Sequence, residues 1–309
     1  MAQFSRLAAL GGAALIVVAA CEGGPFQVHS SSGRSTAGPS ATLSAASTLS
    51  PVPTASSAPS PQPSAVAIVP IIHCTGSASA AGGTSVHRNS TWAGYVAALP
   101  PGPFGCVEGS WIEPTVTCGA ADAALVIWVG IGGYSSRDTG ITDDGHALEK
   151  TGTGVDCKNG MADHYAWLQR DPREPTDVPF PATATRSGDM VVVPGDRIWA
   201  QVRFTRGTVV MTVANLTSGD VRMVAQADPG LNRSSSDWIV EGEDGLPVPP
   251  FASLTFSAGS ASMAGTLGAI GSRAWLRNEI DEWAGGHRRL QASPLSADGA
   301  SFSVIWLHG

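Results

Sequence analysis

An uncharged run of nine residues, 125–133, constrains the fold of this chain more than any other stretch. It reads Leu-Val-Ile-Trp-Val-Gly-Ile-Gly-Gly, so every side chain in it is apolar or absent. A short apolar run with this many β-branched residues is typical of a strand that is buried on both faces. The glycines at its end indicate a place where a ligand or another backbone approaches closely. Residues 147–153 and 237–241 are its predicted partners, and the three stretches are expected to frame the functional site.

Strand candidates recur at short intervals along the tryptophan-containing region, which predicts one large β-sandwich or barrel. Residues 198–204 alternate apolar with smaller or polar side chains, as a half-buried antiparallel strand does. Residues 272–289 fit either a helix with one apolar face or a strand, and the sequence leaves the two open. The other candidates are 91–97, 107–112, 126–131, 165–168, 190–193, 209–214, 221–225, 238–241, 253–256 and 301–306.

The N-terminal residues predict an export signal. Residues 1–20 carry one charge, Arg6, followed by an apolar run that is too short to span a bilayer and is typical of a signal peptide. The end of this run and the residue after it, Val-Ala-Ala-Cys at 18–21, resemble the bacterial lipobox. In a lipobox the cysteine, here Cys21, becomes the lipidated first residue of the mature protein. Two acyl chains would hold the protein at the outer face of the cytoplasmic membrane. The alternative is an ordinary secretory signal that is cleaved near Ala20.

A change of composition predicts the domain boundary. Between residues 22 and 85 the only charged residues are Glu22 and Arg34, and proline, serine, alanine and threonine dominate. Such a segment cannot bury enough apolar surface to offset its ordering entropy, so residues 21–85 are predicted to be a disordered tether. All nine tryptophans follow it, and we predict one globular domain over residues 86–309.

Cysteine usage agrees with export. Without Cys21 an even number of cysteines is left, which predicts two disulfides in an exported chain. Four cysteines allow three pairings, of which we favour Cys118 with Cys157 and Cys74 with Cys106. No Cys-x-x-Cys spacing occurs, so a structural zinc ion is not expected. We also expect no cofactor.

Charge and motifs exclude several function classes. The net charge is −7 with only 14% charged residues, which argues against a nucleic-acid-binding surface. The chain contains no His-Glu-x-x-His helix, no Gly-x-Ser-x-Gly elbow and no phosphate-binding loop. Its seven histidines are scattered, so a local histidine–serine or histidine–cysteine arrangement has no support.

Several motifs, in order, resemble those of the eqolisins, a family of glutamic peptidases, and most of all its actinobacterial branch. The likeness covers roughly residues 89–256 and grows weaker towards Trp306. The matching stretches are Trp-Ala-Gly-Tyr at 92–95, Trp-Ile-Glu-Pro at 111–114, Trp-Val-Gly-Ile-Gly-Gly at 128–133, Leu-Glu-Lys-Thr-Gly-Thr at 148–153, Tyr-Ala-Trp at 165–167, Pro-Gly-Asp at 194–196, Asn-Leu-Thr at 215–217 and Trp-Ile-Val-Glu at 238–241.

This resemblance implies a fold and a catalytic carboxylate. The family fold consists of two antiparallel sheets packed as a concanavalin-like, jelly-roll β-sandwich, with catalysis in the groove of the curved sheet. Glu241 matches the family's catalytic glutamate, which activates the attacking water and later protonates the leaving amine.

The resemblance also exposes a departure at the second catalytic position. The family has a glutamine where this chain has Lys150, one of only two lysines in the sequence. The family's amide positions the water and donates to the developing oxyanion, which is typically worth about 3 kcal/mol. Lysine can still donate, but it lacks the acceptor oxygen, and its charge favours an ionised Glu241. A salt bridge between the two could also hold the carboxylate away from water.

Two further departures lie in the expected groove. Gly132 replaces the family's common aspartate, and Gln169 replaces a glutamate, so a carboxamide on Gln169 is a candidate substitute for the missing glutamine. The residues expected to line the groove are Trp92, Trp128, Gly132, Glu149, Trp167, Gln169 and Trp238.

These observations predict a lipid-anchored or secreted, monomeric endopeptidase of glutamic type, working on protein or peptide substrates in acid. The competing interpretation is a concanavalin-like binding module on the cell surface that has the groove without the chemistry.

Overall fold

The computed structural model describes residues 70–78, 83–99, 103–134, 148–170, 190–243 and 245–308. All regular elements in these ranges are β-strands, and no helix in this part is long and apolar enough to span a membrane. The strands are β1 (Ser77–Ala78), β2 (Thr84–Asn89), β3 (Trp92–Ala98), β4 (Phe104–Ile112), β5 (Ala123–Gly132), β6 (Leu148–Lys158), β7 (Met161–Arg170), β8 (Arg197–Thr205), β9 (Thr208–Asn215), β10 (Asp220–Ala227), β11 (Ser235–Gly242), β12 (Ser253–Met263), β13 (Thr266–Ala269), β14 (Leu276–Ala284), β15 (His287–Ala292) and β16 (Phe302–Trp306).

The strands form two layers that share β12. One layer has the order β10-β9-β8-β4-β12, with β13 and β1 at its edge, and the other has the order β16-β15-β14-β3-β11-β5-β6-β7. The first part of β12 pairs with β16 and its later part pairs with β4, so this strand passes from one layer to the other. Pairing is antiparallel except where β1 joins β13 and β2 joins β14. The predicted all-β sandwich is confirmed.

Period-two alternation places large side chains on both faces of the second layer. The main core lies between the layers and contains Trp111, Trp238 and Phe256, all of them fully or almost fully buried. A second apolar cluster covers the opposite face of β3, β11, β5, β6 and β7. We call this surface the tryptophan face, because Trp92, Trp128 and Trp167 lie on it.

The strand predictions hold with two corrections. Residues 190–193 do not form a strand: Val191 makes a single bridge to Tyr165, and the N–H of Val193 donates to Asp196 Oδ2 at 2.9 Å within a turn. The helix considered for residues 272–289 is wrong, since β14 pairs with β3 on one side and β15 follows it as a hairpin. Pairing with a neighbouring strand therefore overrides the helical spacing of the apolar residues here.

Both favoured disulfides are present, Cys74–Cys106 and Cys118–Cys157. The first ties the chain upstream of the predicted domain start to β4, where the N–H of Cys74 also donates to Glu108 Oε2 at 3.2 Å. Because β1 and β2 pair with β13 and β14, the folded part includes residues before position 86. The predicted signal peptide at 1–20 and Cys21 lie outside the described residues.

Candidate active site

Glu241 lies on the tryptophan face near the end of β11, between β3 and β5. Its backbone is paired with Trp92 on one side and Val126 on the other. Because residues alternate along the strand, Ile239 belongs to the same face, whereas Trp238 and Val240 belong to the core. The register therefore places this carboxylate beside the indoles of the tryptophan face.

Two donors bind the same oxygen of Glu241. Trp128 Nε1–H donates to Oε2 at 2.7 Å, and Lys150 Nζ donates to Oε2 at 3.1 Å. Among the hydrogen bonds made by the described residues, none goes to the other oxygen, Oε1. The side chain of Glu241 is 19% exposed and that of Lys150 is 11% exposed, so solvent still reaches the pair. One carboxylate oxygen is thus fixed by a donor from β5 and a donor from β6.

Lys150 reaches Glu241 across an aromatic surface. It pairs with Gly130 of β5 rather than with β11, so its long side chain extends over Trp128 to reach the carboxylate. Its Nζ atom lies 5.0 Å from the centre of the Trp128 ring and 5.8 Å from that of Trp167. The face of an aromatic ring attracts a cation at such distances, so the two indoles and the carboxylate hold the ammonium in place. Trp92 packs edge-on against Trp128 at 4.9 Å.

Two of the predicted groove positions lie at the periphery of this site. Gln169 on β7 pairs directly with Lys150, and directly paired residues of neighbouring antiparallel strands share a face. Gly132 lies at the end of β5 with a φ of 95°, a left-handed conformation that favours glycine. Its carbonyl oxygen accepts a hydrogen bond from Ser235 Oγ at 2.9 Å, so it supports the start of β11, away from Glu241.

Two predicted groove residues lie on the wrong face of the sheet. Trp238 is fully buried in the core between the layers, where its indole N–H donates to the carbonyl of Glu108 at 2.8 Å. Glu149 is also fully buried, and it accepts hydrogen bonds from Gln226 Nε2 at 3.0 and 3.2 Å. Each of the two residues is an odd number of positions away from a predicted catalytic residue on the same strand, Trp238 from Glu241 and Glu149 from Lys150. Alternation along the strand therefore sends their side chains to the opposite side.

Asp237 is a buried acid that the sequence analysis missed. It lies four residues before Glu241 on the same face of β11 and is not exposed at all. Burial raises the pKa of Asp237 well above its usual range, although Ser235 Oγ at 3.5 Å and the charge of Lys150 oppose this effect. Its Oδ1 atom has no hydrogen-bond partner among the described residues. Strand alternation counted back from Glu241 would have identified it.

Glu282 is a second buried acid that was missed. Its side chain is 0% exposed, and Arg289 Nη1 lies 3.2 Å from its Oε1 atom. Burial raises the pKa of Glu282 to about 7; the charge of Arg289 lowers it, and the nearby Glu241 carboxylate raises it. No sequence signal pointed to this residue, since it lies in the segment that fitted both a helix and a strand.

The buried acids predict that the folded state is most stable in acid. Burial raises the pKa of Glu113 as well, against the opposing effects of His164 and Thr153, so Glu113, Asp237 and Glu282 bind protons more tightly in the folded chain. Their stabilising contribution is complete below the unfolded-state pKa of each acid and is lost as the pH rises through the folded-state value. For Glu282, a rise from 4.5 to about 7 corresponds to about 3 kcal/mol.

Denaturant unfolding between pH 4 and 8 measures this effect. We expect the free energy of unfolding to be highest near pH 4 and to fall steadily towards pH 8. In Glu282→Gln the fall between about pH 4.5 and 7 should be smaller by about 3 kcal/mol. A free energy of unfolding that rises over the same range would contradict the assigned directions.

The site contains no cluster suited to a metal ion within the described ranges. Its chemistry lies in a carboxylate with one restrained oxygen, next to an ammonium group 3.1 Å away. A carboxylate of this kind can accept a proton from water, and the ammonium can stabilise negative charge that develops nearby. Fold and site together place a carboxylate–ammonium pair in an aromatic setting on one face of an all-β sandwich.

Comparison with known proteins identifies the family. The model of the peptidase A4 family matches residues 90–289, and the chain belongs to this family. The fold is similar to that of scytalido-glutamic peptidase, solved with a transition-state analogue inhibitor, at 19% identity and a TM-score of 0.56 over 71% of this chain and 98% of that one. SCP-B, an eqolisin solved with the tripeptide Ala-Ile-His, gives 19% identity and a TM-score of 0.53 over the same shares. No curated protein sequence matches the chain.

Proposed function

We propose that the chain is a glutamic-type endopeptidase in which Glu241 activates the attacking water. The observation that carries this proposal is the arrangement around Glu241, whose Oε2 is held by Trp128 and Lys150 while Oε1 accepts no hydrogen bond from the described residues. Membership of a peptidase family and a fold similar to two peptidases support the same reaction class.

In this mechanism a water molecule binds at Oε1 of Glu241 and attacks the carbonyl carbon of the peptide. The carboxylate takes one proton from the water as the new C–O bond forms, and the carbonyl oxygen becomes negatively charged. Lys150, 3.1 Å from the carboxylate, is placed to donate to this oxyanion, but its ion pair with Glu241 weakens this contribution. Protonated Glu241 then gives its proton to the amide nitrogen, the C–N bond breaks, and the carboxylate is regenerated.

The ion pair also supports a second candidate function. A salt bridge that holds Glu241 against Lys150 would compete with water for the carboxylate, and the chain would then be a binding module on the cell surface. Incubation with denatured casein between about pH 2 and 7 separates the two. The peptidase proposal predicts internal cleavage in acid, whereas a binding module would retain the substrate uncut.

Gln169 is proposed to supply the carboxamide that position 150 lacks. It is directly paired with Lys150 on the neighbouring strand, so its amide lies on the tryptophan face at one side of the ion pair. Gln169→Ala is expected to lower kcat/KM on an unstructured peptide at least tenfold, because one donor to the reacting groups is removed. Gln291→Ala, a carboxamide on β15, is the matched control. Equal activity of the two variants would exclude a role for Gln169.

The two disulfides indicate an exported protein, because such bonds persist in oxidising compartments. We further propose that Cys21 carries a lipid anchor, that the segment before the sandwich is a tether, and that the enzyme acts as a monomer at the outer face of the membrane.

A further inference from the structure

The ammonium group of Lys150 lies in a small cage with three walls. Two walls are the rings of Trp128 and Trp167, whose centres are 5.0 and 5.8 Å from Nζ. The third wall is the carboxylate of Glu241, whose Oε2 atom is 3.1 Å away. Proteins recognise organic cations between aromatic faces in this way, because the ring face is electrostatically negative. We call the side chains of Trp128, Trp167 and Glu241 the cation cage.

The walls of the cation cage are fixed by contacts that do not involve the lysine. Trp128 donates from Nε1 to Glu241 Oε2 at 2.7 Å and packs edge-on against Trp92, with ring centres 4.9 Å apart. Trp167 donates from Nε1 to the carbonyl of Thr153 at 2.9 Å. We therefore expect the cage to keep its shape when the lysine side chain is removed.

Lys150 is attached to the sheet at a distance from the carboxylate that it binds. On β5 the residue paired with Lys150 is Gly130, whereas the residue paired with Glu241 is Val126. These two rows are separated by about 14 Å along the strand. The lysine stem therefore extends along the aromatic surface before its ammonium reaches the cage. The same space suits an ammonium group on another molecule, and solvent reaches it, since the side chains of Lys150 and Glu241 are 11% and 19% exposed.

Removal of the lysine would also change the charge of the site. As an ion pair, Lys150 and Glu241 carry no net charge, whereas Glu241 alone is an anion beside two aromatic faces. Such a site attracts a cation, while two cations placed side by side repel each other. Lys150 thus opposes an incoming ammonium group in two ways, by occupying the cage and by its charge.

We propose that Trp128, Trp167 and Glu241 form a binding site for an organic ammonium group, and that Lys150 fills this site in the resting protein. As a consequence, Lys150 determines specificity: it excludes substrates that carry a lysine next to the scissile bond. The statement on specificity rests on the peptidase function proposed above, whereas the cage itself does not.

Binding of n-butylammonium, an analogue of the lysine side chain, tests the cage without reference to cleavage. Lys150→Ala empties the cage, and its tryptophan fluorescence should change with saturation as n-butylammonium chloride is added at constant ionic strength. n-Butanol, which has the same carbon chain without the charge, should bind about tenfold more weakly or less. Adding Trp167→Ala to this variant should weaken n-butylammonium binding about three- to thirtyfold. The wild type and Lys158→Ala, which lacks the exposed lysine of the same strand, should show no saturable binding.

A series of peptides tests the effect on specificity. Each peptide carries lysine or norleucine at one of the two residues that flank the cleaved bond. Wild-type kcat/KM should be at least about tenfold lower for lysine than for norleucine at the flanking position that faces the cage. The ratio should approach one in Lys150→Gln, because the ammonium is gone, and should be unchanged in Lys158→Gln.

The outcomes separate the two proposals. Saturable binding by Lys150→Ala, together with no cleavage by the wild type, would support the cage and reject the peptidase function. No binding by a folded Lys150→Ala, or equal binding by the wild type, would overturn the cage. Equal ratios of lysine to norleucine cleavage in an active wild type and in Lys150→Gln would overturn the role in specificity.

A wild-type measurement keeps the cage testable if Lys150→Ala does not fold. Protein labelled with ¹³C-lysine gives signals from only two lysines, which Lys158→Gln assigns. The Hε protons of Lys150 should lie upfield of those of Lys158, because the rings of Trp128 and Trp167 shield protons above their faces. Coincident Hε signals from the two lysines would overturn the proposal.

Discussion

Glu241→Gln is expected to abolish peptide hydrolysis, with a loss of about a thousandfold or more in kcat/KM on an unstructured peptide. Glutamine can still accept the hydrogen bond from Trp128 Nε1, so the contacts that hold the side chain can be kept. Its amide cannot take the proton from water or return a proton to the leaving amine. Both roles of the carboxylate are lost at once, and for this reason the effect should be large.

The matched control is Glu243→Gln, an exposed acid two residues later. It should leave kcat/KM unchanged, and unfolding curves should show that both variants are folded. Cleavage by Glu241→Gln at the wild-type rate would mean that another group activates water, and the assignment of Glu241 would be wrong.

Lys150→Gln is expected to raise peptide hydrolysis between about ten- and a thousandfold, the range that corresponds to one oxyanion donor. The Lys150 ammonium lies 3.1 Å from Glu241 and over two indole rings, so its positive charge is already paired with the carboxylate. A glutamine at this position can donate to the oxyanion and accept from water without that ion pair. The variant therefore restores the pair of side chains expected from the eqolisin resemblance.

Lys158→Gln is the natural control, because Lys158 is the other lysine of the chain and its side chain is 68% exposed. It should have no effect on activity. If the wild type is inert and Lys150→Gln creates a peptidase, the natural chain is an inactive relative with an intact scaffold. If Lys150→Gln weakens an active wild type, the lysine is a working part of the site, and the interpretation of it as an impairment fails.

The fold could be predicted from the sequence because the signals that indicate it are local. These signals are the alternation of apolar and polar residues, the turn residues and the apolar run at 125–133. Residues 125–133 fall almost wholly in β5, which pairs with β11 and β6, the partners expected for it. Both disulfides were also predicted correctly. The helix alternative for 272–289 could be excluded only by the pairing of β14 with β3, a contact between residues about 180 positions apart.

The site was harder to predict because it depends on which face each side chain occupies. Trp238 and Glu149 were assigned to the groove from motif position alone, although each is an odd number of residues from the predicted catalytic residue on its strand. Counting every second residue along each strand from Glu241 and from Lys150 would have removed Trp238 and Glu149 from the predicted groove and added Asp237. Glu282 could not have been found in this way, because it lies on β14 and contacts Gly242 of β11. This contact depends on how β14 and β15 pack against the end of β11.

The most direct test of the central claim is a wild-type digestion of an unstructured peptide in ¹⁸O-labelled water between about pH 2 and 7, followed by mass spectrometry. Water attack promoted by Glu241 predicts internal cleavage in acid, with one ¹⁸O atom in each new carboxyl terminus and none released by Glu241→Gln. A wild-type protein that is folded and binds the peptide, yet leaves it intact at every pH, would contradict the account.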